Sequence, residues 1–276
     1  MILTNYSCFI NRMYKGALEM SKISKILAAS SVAAIGMTGF GQVAVADDVV
    51  SANVSLLTHY IFRGQDLSNN VPAIQGGFDF THDTGAYAGI WASSAAGGDD
   101  NSIEVDFYLG YSTELREYGV GIDFGYLHYD FPHSDSEDDE LYFIGSYNDL
   151  SVGVWLELDT GTDRLTLGDE SAEVADDSNS NTLAYFNVGY DYSLPADFLL
   201  SVALGYQTFD SDAVVVEGSA GEPEFVEADE VLDWMIGVSK EVGGVELGLT
   251  YTDSNIDGDL ISGNSDNFTI SLSKSL

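Results

Sequence analysis

The chain has 276 residues, with 45 Asp and Glu against nine Lys and Arg, a formal charge of −36 and a single cysteine. So strong a negative charge argues against nucleic acid as a partner and against docking on anionic headgroups through a basic patch. One cysteine, Cys8, excludes a disulfide framework and a cysteine-based zinc site.

Residues 1–19 read as an upstream extension or a mis-assigned start, and 20–46 as a secretory signal peptide. Met20-Ser-Lys-Ile-Ser-Lys supplies the basic segment and Ile26 to Phe40 the apolar one, too short for a transmembrane helix. Ala44-Val45-Ala46 is a small-x-small cleavage site followed by Asp47 and Asp48. Cys8 leaves with this segment, and the fixed cations that remain are Arg63, Arg116, Arg164, Lys240 and Lys274. Residues 47–276 contain no Pro-rich or Gly/Ser-rich linker, which predicts one domain.

Strand-like alternation then fills the chain. Val49–Phe62 sets Val50, Ala52, Val54, Leu56, Tyr60 and Phe62 against Ser51, Asn53, Ser55 and His59. Pro72–Thr81 places Ile74, Phe78 and Phe80 opposite Gln75 and Asp79, and Ala86–Ser94 follows a short turn. Ser102–Tyr129 reads as a hairpin. Ile103, Val105, Phe107, Leu109 and Tyr111 oppose Glu104, Asp106, Tyr108, Gly110 and Ser112. In its second arm Val120, Ile122, Phe124 and Tyr126 oppose Gly121, Asp123 and Gly125. Glu140–Tyr147, Leu150–Asp159, Thr182–Tyr192, Phe198–Phe209, Val231–Lys240, Val245–Thr252 and Asn267–Leu276 complete a predicted set of twelve strands.

The connections alternate. Those near 83, 115, 148, 195 and 242 are short. Those at 63–71, 95–101, 130–139, 160–180, 210–230 and 253–266 are longer and, later in the chain, acidic. Short turns on one rim and long loops on the other predict a twelve-stranded antiparallel up-and-down transmembrane β-barrel, which leaves no strand edge unpaired in lipid. Aromatic residues toward strand ends are expected to form interfacial girdles: Tyr60, Phe62, Phe78, Phe80, Tyr111, Tyr126, Tyr190, Tyr192, Tyr206 and Tyr251.

Several stretches carry a family resemblance: Asn53–Ser68 (NVSLLTHYIFRGQDLS), Pro72–Phe80, Gly85–Ser93, Ile103–Tyr111, Gly125–Pro132 and the closing SLSKSL. With the Tyr60-x-x-Arg63-Gly64 core as its most specific part, the chain resembles the TorF-type porins, proteobacterial conserved hypothetical outer-membrane proteins. The terminal Leu276 departs from the Phe usual in such barrels. The resemblance implies an outer-membrane channel and supplies neither a substrate nor a catalytic residue.

If the apolar faces meet lipid, the lumen receives Asp79, Glu104, Asp106, Asp123, Glu157, Asp233 and Glu246. Arg63 shares the inward phase, and its expected place is a constriction, paired with one or two of these acids. Rings of acids select cations, so the expected function is a small, acid-lined, cation-preferring diffusion channel for small solutes. The loops 133–140 and 217–230 offer carboxylates that could bridge through Ca²⁺ or Mg²⁺ to lipopolysaccharide. Asp253, Asn255, Asp257 and Asp259 form half of an EF-hand-like spacing, but Asn264 stands where the bidentate Glu belongs. Assembly would use the barrel assembly machinery, and no cofactor is implied. Two other classes fit the same barrel. One is a non-conducting structural or adhesive barrel acting through its loops. The other is a lipid hydrolase, for which His59, His82, His128 and His133 are candidate bases, though none lies in a G-x-S-x-G elbow.

Overall fold

A computed structural model describes residues 49–94, 103–132, 136–158, 184–216, 225–255 and 266–276. The proposed leader lies outside them. The strands are β1 (Val49–Leu57), β2 (Ile61–Phe62), β3 (Gln65–Asp66), β4 (Ala73–Thr81), β5 (Ala86–Ser94), β6 (Ile103–Leu115) and β7 (Val120–Phe131). They continue with β8 (Ser136–Tyr147), β9 (Leu150–Leu158), β10 (Ala184–Leu194), β11 (Phe198–Val216), β12 (Phe225–Val242), β13 (Val245–Ser254) and β14 (Asn267–Ser275). Twelve of these, all but β2 and β3, form one closed antiparallel barrel in sequence order. The seam is closed by β1 against β14, with Val54 opposite Lys274 and Leu56 opposite Leu272. Beyond the ladder, Leu276 donates its N–H to Ala52 O at 2.8 Å.

The alternation decides which side faces what. Outward residues are large and apolar around the whole circumference: Phe78 is 63% exposed, Leu109 58%, Leu204 58% and Ile270 57%. A water-soluble domain does not expose so continuous an apolar surface, whereas a bilayer requires it. The fold is therefore a transmembrane β-barrel. Aromatic pairs ring the far ends of β12, β13 and β14, where Trp234 packs on Tyr251 at 5.3 Å and Tyr251 on Phe268 at 4.7 Å. Near the turn rim Tyr111 packs on Phe124 at 5.9 Å. Leu109→Arg, at the middle of β6, is expected to destabilise the barrel by about 2–4 kcal/mol, the cost of a cation facing mid-bilayer. Urea unfolding in lipid bilayers measures it, and an unchanged midpoint would mean this face does not meet lipid.

The turn rim is tight. Val242 pairs with Val245 across Gly243 and Gly244, both at positive φ, the two-residue turn that matches strand twist. On the opposite rim two hairpins are longer than the alternation predicts. β7 and β8 extend to Phe131 and from Ser136, so most of the 130–139 stretch is strand rather than loop. β11 and β12 run to Val216 and from Phe225, with a register shift between Thr208 and Ala213. In β8 the alternation continues straight into the acidic run. Glu140 and Tyr142 turn inward and are buried, while Leu141 and Phe143 face out. Outside the apolar band, His128 Nδ1 lies 2.8 Å from Asp139 Oδ1, and Tyr126 also donates to Asp139.

The first strand is shorter than expected, and this is the main correction to the sequence reading. β1 stops at Leu57. Thr58 makes the last seam contacts, its N–H donating to Ile270 O at 3.1 Å and its Oγ1 accepting from Ile270 N–H at 3.0 Å. The chain then turns into the barrel. Tyr60 is 1% exposed and stacks on Trp91 with centroids 5.7 Å apart. Phe62 packs edge-on against Tyr129. These two rings belong to the interior and not to a lipid girdle.

Candidate functional site

The interior is divided by a small hairpin. Ile61 pairs with Asp66 and Phe62 with Gln65, leaving Arg63 and Gly64 as a two-residue turn. Both have positive φ, 47° and 78°, as such a turn requires. Asp66 fixes the return arm. Its Oδ1 accepts from Ser68 N–H at 3.0 Å and Ser68 Oγ–H at 2.7 Å. Its Oδ2 accepts from Asn70 N–H at 2.9 Å and lies 3.2 Å from His59 Nδ1. Ser68 Oγ accepts from Tyr60 N–H at 2.9 Å, and Leu67 N–H donates to Tyr60 O at 2.8 Å. The segment is thus closed on itself before it touches the wall.

The tip of this hairpin reaches across the barrel. Arg63 Nη1 and Nη2 donate to Glu140 Oε1 and Oε2 on β8 at 2.8 and 2.9 Å, a bidentate fork. The guanidinium also lies over the rings of Phe62 and of Tyr185 on β10, at 4.7 and 4.5 Å. Both members of the pair are buried. Gly64 touches the other side of the lumen, where its carbonyl accepts from Ser254 Oγ–H of β13 at 3.2 Å. A Cβ on Gly64 would stand 2.7 Å from Ser254 Cβ and 2.8 Å from Asp233 Cβ, so only glycine fits there. A strap that starts at β1 therefore meets β5, β8, β10, β12 and β13.

Around the strap the wall is uneven. From β5 to β10 the inward side chains are rings whose hydroxyls meet acids. Tyr87 donates to Asp123 at 2.5 Å and contacts the Tyr142 hydroxyl. Tyr108 donates to Asp79, Tyr129 donates to Glu140 at 2.8 Å, and Tyr185 donates to Asp233 at 3.3 Å. Leu127 is fully buried among them. Between β11 and β1 many inward positions are small and polar, among them Ser201, Thr250, Thr269, Ser271 and Ser273, with Gln207, Val231 and Met235 buried beside them. Ser55 and Ser273 share a hydrogen bond of 2.8 Å across the seam.

All eight residues expected inside lie on the inner wall or on the strap. Glu104 and Asp106 are each 1% exposed and Asp123 is buried, while Asp79, Glu157, Asp233 and Glu246 are half-buried. The partner of Arg63 is Glu140, which lies where the acidic 133–140 stretch meets the strand and is not among the acids expected in the lumen. The available signal was the phase shared by Asp138, Glu140, Tyr142 and Ile144. Several inner-wall carboxylate oxygens find no protein donor: Glu104 Oε2, Asp106 Oδ1, Asp123 Oδ2, Asp233 Oδ2 and Glu246 Oε1. Of the EF-hand-like residues, Asp257 and Asp259 lie outside the described part. Asn255 Oδ1 accepts from Leu232 N–H at 2.7 Å and Asp253 Oδ1 from Ser254 N–H at 2.9 Å. Among the described residues no three His, Cys, Asp or Glu side chains converge in a way that could hold a metal ion.

Residues 42–275 match the family model described as "Bacterial protein of unknown function (Gcw_chp)". The chain belongs to this family. None of the curated proteins searched matches it. Among solved structures, this Gcw_chp chain is similar to "KdgM porin", with 9% identity over 82% of this chain and 99% of that one and a TM-score of 0.49. It is similar to "NanC porin structure in rhombohedral crystal form" at 10% identity, over 82% and 98% of the two chains, with a TM-score of 0.49. A third likeness, to a chain described as "Unveiling the Mechanism Behind the in-meso Crystallization of Membrane Proteins", has 9% identity, coverage of 82% and 83%, and a TM-score of 0.50. At these identities the likeness concerns the fold.

Proposed function

We propose that this Gcw_chp protein is an outer-membrane porin of the TorF type: a small, acid-lined, cation-preferring passive channel for small solutes, narrowed at one level by the 58–72 strap. The observation that carries this reading is the strap itself. It crosses a twelve-stranded barrel whose remaining wall, from β11 to β1, is lined largely by Ser and Thr, with Gln207, Val231 and Met235 among them, side chains that fill less of the lumen than the rings of β5 to β10. Carboxylate oxygens without protein donors support the same reading, since such groups need water or ions as partners. Five acids spread around the inner wall on β6, β7, β12 and β13, beyond the one bound by Arg63, give the lumen a negative potential that favours cations. The acidic rim would face lipopolysaccharide, with Ca²⁺ or Mg²⁺ as bridge.

The aromatic packing from β5 to β10 favours a second reading, a structural barrel that does not conduct. Refolded protein in a planar bilayer under a KCl gradient separates the two. Discrete current steps with a reversal potential on the cation side are expected. A correctly inserted barrel that stays silent over the accessible voltages would leave the structural reading.

A further inference from the structure

The tip of the strap carries an arginine where the backbone does not call for one. Arg63 holds φ at 47° in the first turn position, where glycine, asparagine and aspartate are the usual residues. A bulkier residue kept there is a mark of clamps and switch segments. Its side chain explains the choice. The guanidinium is received by Glu140 through a two-bond fork and lies over the Tyr185 ring at 4.5 Å. Tyr129 donates to Glu140 Oε2 at 2.8 Å and so fixes the carboxylate. Asp233 accepts from Tyr185 at 3.3 Å and adds a second negative charge beside the ring, and its Oδ2 has no donor. These four residues belong to the wall, on β7, β8, β10 and β12. The wall thus presents a flat, charge-complementary receptor to a guanidinium, built without the strap. The strap in turn is closed on itself through Asp66, Ser68 and Tyr60, so its tip can leave the wall with the hairpin intact.

We propose that Glu140, Tyr129, Tyr185 and Asp233 form a binding site for guanidinium-bearing solutes, that Arg63 is its tethered occupant, and that such a solute frees the strap by taking the place of Arg63. The size fits, because the site already encloses a guanidinium. That group is weakly hydrated, and its planar fork matches a carboxylate and stacks on a ring. An ammonium ion is a strongly hydrated point charge that cannot make the fork. Tethering gives Arg63 a high effective concentration, which keeps the strap in place until the solute is abundant. The release step rests on the channel reading, whereas the site does not.

Methylguanidinium, which reproduces the end of the arginine side chain, is the probe, and methylammonium is the control. In Arg63→Ala the site is vacant. Methylguanidinium, well below denaturing concentrations, should raise the urea midpoint of this variant in bilayers toward the wild-type value, as a ligand of the folded state alone does. It should also change the emission of Trp155, which stacks on Tyr185 at 5.7 Å. Trp155→Phe in the same background should lose the emission change and keep the midpoint shift. Methylammonium should produce neither, and Arg63→Ala/Glu140→Ala should respond to neither cation. Wild-type channels should open to the Arg63→Ala current level in methylguanidinium and not in methylammonium. An unmoved midpoint in Arg63→Ala, or an equal shift with methylammonium, would overturn the site. A shift in Arg63→Ala with no response of the wild-type current would overturn release by competition. If Arg63→Ala folds poorly, its refolding yield with and without methylguanidinium carries the same readout, and equal yields would count against the site. A midpoint shift in a barrel that passes no current in either form would retain the site and lose the channel. Current without the shift would do the reverse.

Discussion

Replacing Arg63 with alanine is expected to raise single-channel conductance several-fold and to cost the barrel about 3–5 kcal/mol, the range for removing one member of a buried ion pair. The pair is a two-bond fork between groups that are both almost fully enclosed. Without the guanidinium, Glu140 remains buried near Asp106 with no positive partner. The strap also loses its contact with the Tyr185 ring, and its tip is then held by Gly64 against Ser254 and by Phe62 against Tyr129. Glu140→Gln should be milder, because Arg63 keeps its two rings and the field of Asp138 and Asp233. The double variant Arg63→Ala/Glu140→Ala separates the two effects. It should recover part of the stability, since no lone charge is left, yet retain the large conductance, since the strap is still released. Denaturant unfolding in bilayers and single-channel recording give the two readouts. Unchanged conductance in Arg63→Ala would show that the strap does not set the narrowest point.

The second large effect concerns charge. Asp79→Asn, Asp233→Asn and Glu246→Gln, combined, should move the reversal potential in a KCl gradient most of the way toward zero. These acids are half-buried on the inner wall. The substitutions keep shape, and an amide oxygen still accepts from Tyr108 at position 79 and Tyr185 at position 233. What changes is the potential along the path. Screening gives an internal check. The Debye length is about 10 Å at 0.1 M salt and about 3 Å at 1 M, so wild-type selectivity and its loss should both shrink at high salt. A reversal potential unaffected by removing three charges would place the conduction path away from them.

Much of this was legible in the chain. Ile103 to Tyr111 and Val120 to Tyr126 sort into lipid-facing and inward sets by a period of two, because successive Cβ atoms of a strand point to opposite faces. The short connections mark one rim because strands that follow each other in sequence are neighbours in the barrel. Other features were not legible. Tyr60 and Phe62 continue the apolar phase of Val54 and Leu56, yet they lie inside. Periodicity cannot tell a strand in the wall from one that has turned through the lumen.

The sequence by itself determined the barrel, the side each strand shows to lipid and the surplus of acids within, since these follow from local alternation and composition. Only the tertiary structure decided that Arg63-Gly64 is a turn, that it crosses to β8 and β13, and that Glu140 receives the cation while Glu104 and Asp106 receive none. Those pairings join residues up to 190 apart in the chain. They depend on the distance across a closed barrel, which exists only once all twelve strands have met.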